Sequence, residues 1–160
     1  MKKFRTMMAM MLALVGMCVA FSSCGDDDDD NTTAASVQEI VGTYVGDMTT
    51  KVSTSESTSE NVEFKIEKVD DTHVNVILPA FGEAPMALPS ITVKNLAVTA
   101  SDGTYTIPQT AFDQTLENGK KISNTAIAAT VKDGKMHIQF AMQYGNMPFT
   151  MNCSSDATKK

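Results

Sequence analysis

Residues with reactive or metal-binding side chains lie close together near the start of this chain, where a cysteine thiol precedes a block of carboxylates. Cys24 and Gly25 are followed by five aspartates: Asp26, Asp27, Asp28, Asp29 and Asp30. Calcium loops alternate their ligands with other residues and place a glycine at the turn, and an unbroken run lacks that geometry. Adjacent like charges repel one another and stay extended in solvent. The run is therefore predicted to be a solvated segment that holds no metal.

The histidines and the last cysteine form no catalytic pattern. His73 and His137 each fall on the polar side of a predicted strand, without a partner at metal-ligand spacing. Cys153 follows Phe149 and Met151 at alternate positions and is interpreted as a small apolar strand residue. The chain holds no glycine-rich phosphate loop, Gly-x-Ser-x-Gly elbow or Cys-x-x-Cys pair. We therefore expect no enzyme activity and no cofactor.

The first residues are typical of a secretory signal rather than of a fold. Lys2, Lys3 and Arg5 precede an apolar run over residues 7–21. As a helix this run would be about 22 Å long at ~1.5 Å per residue, which is short of the ~30 Å hydrocarbon core of a bilayer. A cationic start, a short apolar run and small residues before a break are the features of a signal peptide. An uncleaved membrane anchor is the alternative.

The residues that end this signal resemble the bacterial lipobox, whose cysteine is acylated and becomes the new N-terminus. Ser22 and Ser23 are the small residues before Cys24, whereas Cys18 follows the bulky Met17. Residues 1–23 are thus predicted to be a lipoprotein signal peptide and residues 24–36 a lipidated, acidic tether. With Cys18 removed and Cys24 acylated, Cys153 has no cysteine partner for an intramolecular disulfide.

The aspartate run also bears on localisation and partners. It resembles the acidic stretch after the lipidated cysteine of surface-exposed Bacteroidota lipoproteins, and this resemblance implies export to the outer face of the outer membrane. The acyl chains on Cys24 would make the membrane itself a partner. The net charge of −6 argues against nucleic acid, because neutralising phosphates requires a basic face.

Alternating apolar residues predict an all-β domain over residues 37–154, followed by a polar C-terminal tail at 155–160. The clearest hairpin signal is Asp133-Gly134 between two alternating runs, because both residues tolerate positive φ. We predict eight strands, at 41–52, 61–69, 73–78, 90–99, 103–108, 121–131, 135–144 and 147–154. Short connections and one apolar face per strand favour a single antiparallel up-and-down β-barrel, which leaves no exposed edges.

Two connections in this scheme are long. Residues 49–60 hold eight serines and threonines and are predicted to form a solvated hairpin loop, with a flexible lid as the alternative. Residues 79–89 carry Phe81, Met86 and Leu88. These apolar side chains are expected to pack over one end of the core, and a cover over the barrel mouth or a contact surface is the alternative.

Three short segments in this order resemble the calycin-like β-barrel domain of Bacteroidota lipoproteins. They are IVGTYVG at 40–46, ITVKNLAV at 91–98 and ATVKDGK at 129–135, and the resemblance covers residues 37–154. Lipocalins open on Gly-x-Trp near the closed end of the barrel, and this chain has Gly42-Thr43-Tyr44. The resemblance implies that Tyr44 plugs the same end, and it implies a fold and an envelope location without an established activity.

Alternation also predicts which side chains point into the barrel and would line a ligand cavity. They are Tyr44, Phe64, Ile66, Val76, Ile91, Val93, Ile107, Ile138, Phe140 and Met151. An eight-stranded barrel is wide enough either to be filled by side chains or to hold one small ligand. The predicted function is non-catalytic binding of a small apolar molecule in the barrel of an envelope lipoprotein. The alternative is a surface interaction module with a filled core and an unknown protein partner.

Overall fold

The computed structural model describes residues 36–84 and 87–160. A 3₁₀ helix, Val37–Glu39, precedes ten strands. The strands are β1 (Gly42–Val52), β2 (Ser55–Lys68), β3 (His73–Leu78), β4 (Ile91–Ala97), β5 (Thr99–Ser101), β6 (Thr104–Thr110), β7 (Gln114–Thr115), β8 (Lys121–Lys132), β9 (Lys135–Tyr144) and β10 (Met151–Lys159).

These strands form one antiparallel sheet that curls into a nearly closed barrel. Its order is β4-β3-β2-β1-β10-β9-β8-β6-β5, and β7 pairs with β8 beside this path. The first and last strands join, with Tyr44 opposite Lys159 and Val52 opposite Met151. Near the two ends of this strand order, β4 approaches β6, and this approach nearly closes the barrel. The predicted all-β, antiparallel barrel is confirmed, but the number of strands is ten and not eight.

The hydroxyl-rich segment at 49–60 belongs to two paired strands, so its prediction as a loop was wrong. β1 continues to Val52 and β2 begins at Ser55, and Ser53 takes a positive φ of 54° in the two-residue turn between them. Thr49 pairs with Thr58. Serine and threonine are compatible with an extended backbone, and what had suggested a loop was their polarity.

The last strand also differs from its prediction. β10 begins at Met151 and ends at Lys159, whereas a strand at 147–154 and a polar tail at 155–160 were expected. Ser155 and Ala157 continue the buried face beyond Cys153, and the Ser155 hydroxyl donates to the Asp47 carbonyl at 2.8 Å. The side chains at this end of the chain are small or polar, so the sequence did not show the alternation of buried and exposed positions. Pairing with β1 nevertheless keeps the segment in a strand.

The core occupies the interior of the barrel. All ten residues that alternation placed inside lie there, and each is at most 5 % exposed. The ring of Phe140 contacts that of Phe64 edge-to-face, with centroids 6.5 Å apart. It makes a second edge-to-face contact with Phe81, at 6.2 Å. Large side chains therefore fill the middle of the barrel.

A bulge between β1 and β2 changes which residue type faces inward. The register shifts between Gly46 and Met48, and Asn61 takes a φ of 52° while its N–H donates to Asp47 Oδ1 at 3.0 Å. On the C-terminal side of the bulge, the inward side chains of β2 are apolar. On its N-terminal side, the inward residues are Ser59, Ser57 and Ser55, opposite the inward positions of β1.

Gly46 allows β1 and β10 to approach each other closely at the seam. A Cβ placed on Gly46 would lie 2.2 Å from the carbonyl oxygen of Asp156, so a side chain requires a backbone shift. We expect Gly46→Ala to lower the free energy of unfolding by about 1–3 kcal/mol, as overpacking does. Thr49→Ala, on the outer face of the same strand, should change it by less than ~0.5 kcal/mol. Equal urea midpoints for the two variants would contradict this close approach.

Candidate functional site

One end of the barrel is closed by the chain itself. Val37 and Ile40, in and just after the 3₁₀ helix, are 1 % and 2 % exposed. The Tyr44 hydroxyl donates to the Ile40 carbonyl at 2.8 Å, and the tyrosine is fully buried. Tyr44 thus lies at the end of the barrel where the resemblance to lipocalins implied a plug.

Burial gives this tyrosine a measurable pH dependence. Desolvation raises the pKa of Tyr44 from 10.0 to about 12. Its protonated form therefore stabilises the folded state fully below the unfolded pKa of about 10, and this stability is lost as pH rises toward about 12. We expect the free energy of unfolding to fall over this window in urea titrations. Tyr44→Phe should show a shallower decline, and an unchanged slope in that variant would contradict the assignment.

The opposite end of the barrel carries an open cleft of about 730 Å³. It lies where the β1–β2 turn, the β3–β4 connection and the β9–β10 connection come together. Its apolar walls combine side chains from these three connections and the adjoining strands: Val52, Phe81, Leu88, Met147, Phe149 and Met151. We call this cleft the mouth.

The β3–β4 connection forms one apolar wall of the mouth. Phe81 and Leu88 join in an isolated antiparallel bridge, in which Leu88 N–H donates to the Phe81 carbonyl at 2.8 Å and the reverse bond is 3.2 Å. Leu88 is buried, and Phe81 packs on Phe140 of the core. These two residues therefore pack over the core, as expected, and at the same time they line the mouth. Met86 lies outside the described residues.

The β9–β10 connection supplies the most exposed part of the mouth. Phe149 lies here, before β10 begins, rather than in the strand predicted for it. It is 53 % exposed, whereas Met147 is packed partly against the core. A large aromatic side chain is therefore open to solvent at the rim of an apolar cleft.

Hydroxyl side chains form another wall of the same cleft. Ser55, Ser57 and Ser59 line the mouth from β2 and Thr50 lines it from β1. Prediction of a loop at 49–60 missed this wall. The sequence did carry a signal, because Ser55, Ser57 and Ser59 alternate with Glu56, Thr58 and Glu60 in the period of a strand.

The predicted cavity lining is corrected by this geometry. Of the ten inward residues, only Met151 lines the mouth. Phe140 lies beneath Phe81, and the others form the filled core. A cavity of about 360 Å³ also touches Phe140, but it lies on the outer sheet face among polar and small residues such as Gln139 and Ser154. Apart from Met151, the predicted residues thus belong to the core of the barrel and do not line the mouth.

The two histidines lie outside the lining of the mouth, and the buried Cys153 thiol is inert. His73 Nδ1 lies 3.0 Å from Asp70, and His137 Nδ1 lies 2.6 Å from Asp156; both pairs are near the outer surface. Burial raises the pKa of the Cys153 thiol to about 11, which leaves it protonated and unreactive at neutral pH. Within the described ranges, 36–84 and 87–160, no cluster of three or more metal-ligating side chains occurs.

An antiparallel β-barrel plugged at one end and open at the other defines a protein of the calycin type. The chain belongs to the calycin-like β-barrel domain family, whose model matches residues 40–154. It is also similar in structure to a proposed outer membrane protein from Bacteroides fragilis NCTC 9343, with a TM-score of 0.65 and 21 % sequence identity. That similarity covers 77 % of this chain and 52 % of the other, so this chain spans about half of that protein. None of the curated proteins compared with the chain matches it.

The predicted lipidation and export signals lie outside the described residues. They are Cys24 and the aspartates at 26–30. Among the residues that are described, no helix is long and apolar enough to cross a membrane.

Proposed function

We propose that this protein is a non-catalytic, lipid-anchored envelope protein that binds a small apolar ligand at the mouth of its barrel. The observation that carries the proposal is a cleft of about 730 Å³ with apolar walls above a filled core. Ligand sites are typically concave, mostly apolar and about 300–1,000 Å³ in volume. The calycin-like fold supports a binding role, and the filled interior favours the mouth over the barrel itself.

Side-chain chemistry favours the mouth over other depressions of similar size. One of about 740 Å³ runs past Lys132, Asp133 and Lys135, and one of about 840 Å³ runs past Lys120 and Lys121. Both are surfaces beside exposed turns with charged side chains, which water solvates well. A cleft with several apolar walls instead gains free energy when a ligand displaces water, by roughly 25 cal/mol per Å² of apolar area.

An envelope location is supported by the start of the chain. The lipobox-like residues before Cys24 and the aspartate run after it resemble the anchor and export signals of surface lipoproteins. The structural neighbour is itself a proposed outer membrane protein. In the proposed arrangement acyl chains hold Cys24 in the outer leaflet and the barrel faces outward.

Binding of the neutral fluorophore N-phenyl-1-naphthylamine to the purified protein tests the ligand site. We expect saturable binding that Phe149→Ser weakens about fivefold, because losing ~40 Å² of contact costs ~1 kcal/mol. Val69→Ser is the matched control. In the part of the chain that the structure describes, Val69 is the other large exposed hydrophobic residue, at 47 %, and it follows β2 at the plugged end of the barrel.

Two outcomes would overturn the proposal. Absence of saturable binding by the wild-type protein would favour the interaction module with a filled core. Equal losses in Phe149→Ser and Val69→Ser would mean that the fluorophore binds nonspecifically to exposed apolar side chains.

A further inference from the structure

We infer that the ligand of the mouth is an uncharged amphiphile, with an apolar body and a hydroxyl-bearing head. This inference rests on the proposed binding function and specifies the chemistry of its ligand. It follows from the two unlike walls of the mouth and from the charges near them.

Every β2 side chain that lines the mouth carries a hydroxyl. Ser55, Ser57 and Ser59 line the mouth from alternate positions of β2, because the bulge at Asn61 exchanges the faces of that strand. Ser55 and Ser57 are exposed to the cleft. A hydroxyl both donates and accepts hydrogen bonds, so this row suits a head that does both.

The apolar side chains of the mouth come from the connections that border the cleft beside this row. Phe81 and Leu88 are held together by their bridge, and Phe81 rests on the Phe140 ring. Phe149 and Met147 continue the wall to the rim. A ligand with its body on these side chains and its head toward β2 would satisfy both walls.

The charges argue against an anionic head. Among the described residues that line the mouth, Glu83 is the only charged side chain. The nearest lysine on the hairpin, Lys51, lies on the outer face of β1 and pairs with Glu56 at 2.9 Å. A carboxylate head would therefore meet a like charge without a cation from the lining. Two unit charges 4 Å apart interact by about 1 kcal/mol in water, which corresponds to about fivefold in affinity.

Displacement of bound N-phenyl-1-naphthylamine by two ligands of equal chain length tests the charge preference. At neutral pH we expect decanol to displace the fluorophore at about a fivefold lower concentration than decanoate. Glu83→Gln should reduce this difference between the two ligands by strengthening decanoate more than decanol. Glu60→Gln is the matched control, since Glu60 is an exposed carboxylate on the outer face of β2 and should leave the difference intact. Equal displacement by both ligands in the wild-type protein would contradict the inference.

A second variant tests the hydroxyl wall separately. Replacing Ser57 and Ser59 together by alanine should weaken decanol about fivefold, since a hydrogen bond contributes roughly 1 kcal/mol. Binding of the fluorophore, which has no hydroxyl, should weaken less than binding of decanol. Ser154→Ala, on the outer face of β10, is the control. Unchanged decanol affinity in the double variant would overturn the assignment of the head to β2.

These results separate the two proposals. A wild-type protein that does not bind the fluorophore would contradict the binding function itself. Binding of the fluorophore without preference between decanol and decanoate would leave that function standing and reject only the ligand class.

Discussion

Replacing Phe140 by alanine is expected to lower the free energy of unfolding by about 3–5 kcal/mol, as for a large buried aromatic residue. Phe140 is 3 % exposed and its ring joins Phe64 in the core to Phe81 at the mouth. Truncation would remove both edge-to-face contacts and leave a cavity that the paired strands cannot close. Urea unfolding followed by circular dichroism measures the change.

The neighbouring position provides the control. Gln139 is exposed on the outer face of the same strand, so Gln139→Ala should change the free energy of unfolding by less than ~0.5 kcal/mol. A one-residue slip in register would exchange the two faces. Equal destabilisation by the two variants would therefore contradict the register of β9.

Cys24→Ser is expected to abolish fatty-acid labelling and to release the protein from membranes. Each CH₂ of an acyl chain that enters the bilayer contributes about 0.8 kcal/mol, so several chains together anchor a protein firmly. Metabolic labelling with a palmitate analogue and fractionation of cell extracts measure the two effects. Cys18→Ser is the matched control and should leave both unchanged.

Two results would contradict this anchor. Persistent labelling of Cys24→Ser would assign the acyl chains to another residue. Membrane retention without labelling in the wild-type protein would favour an uncleaved apolar segment at 7–21.

The acidic run can be tested in the same cells. Changing all five aspartates at 26–30 to asparagine should reduce cleavage by added protease on whole cells, because the run is proposed to direct surface display. The melting temperature should stay the same, since a solvated tether contributes little to the fold. A large loss of thermal stability with unaltered display would contradict this role.

Much of the barrel could be predicted because its central strands alternate strongly. β3 and β9 have the bounds predicted for them, and the Asp133-Gly134 signal correctly placed the β8–β9 hairpin. Ile138 and Phe140 fall on the buried face, and His137 and Gln139 fall on the exposed one. Period-two alternation is informative where one face is apolar and the other is polar.

The same rule failed where both faces of a strand are polar or small. Residues 55–59 pair with β1 although they carry only serine, threonine and glutamate. Ser155 and Ala157 are buried although neither is large and apolar. In these segments backbone pairing with a neighbouring strand determines the structure. The pattern of side chains in the sequence gives little sign of it.

The mouth could not be predicted from local patterns at all. Its walls come from three connections far apart in the chain, near Ser53, Phe81 and Phe149. Which β2 residues face it depends on the bulge at Asn61, a tertiary feature. The sequence indicated only that apolar side chains at 79–89 would cover one end of the core.

Mapping where the fluorophore binds tests the central claim most directly. Amide chemical shifts of the isotope-labelled protein can be followed during titration with N-phenyl-1-naphthylamine. We predict that saturable changes concentrate at the mouth, in residues 50–59, 81–84, 87–88 and 147–151. Changes centred on Tyr44 and the plugged end, or on the outer face around Ala126 and Ala141, would contradict a ligand site at the mouth.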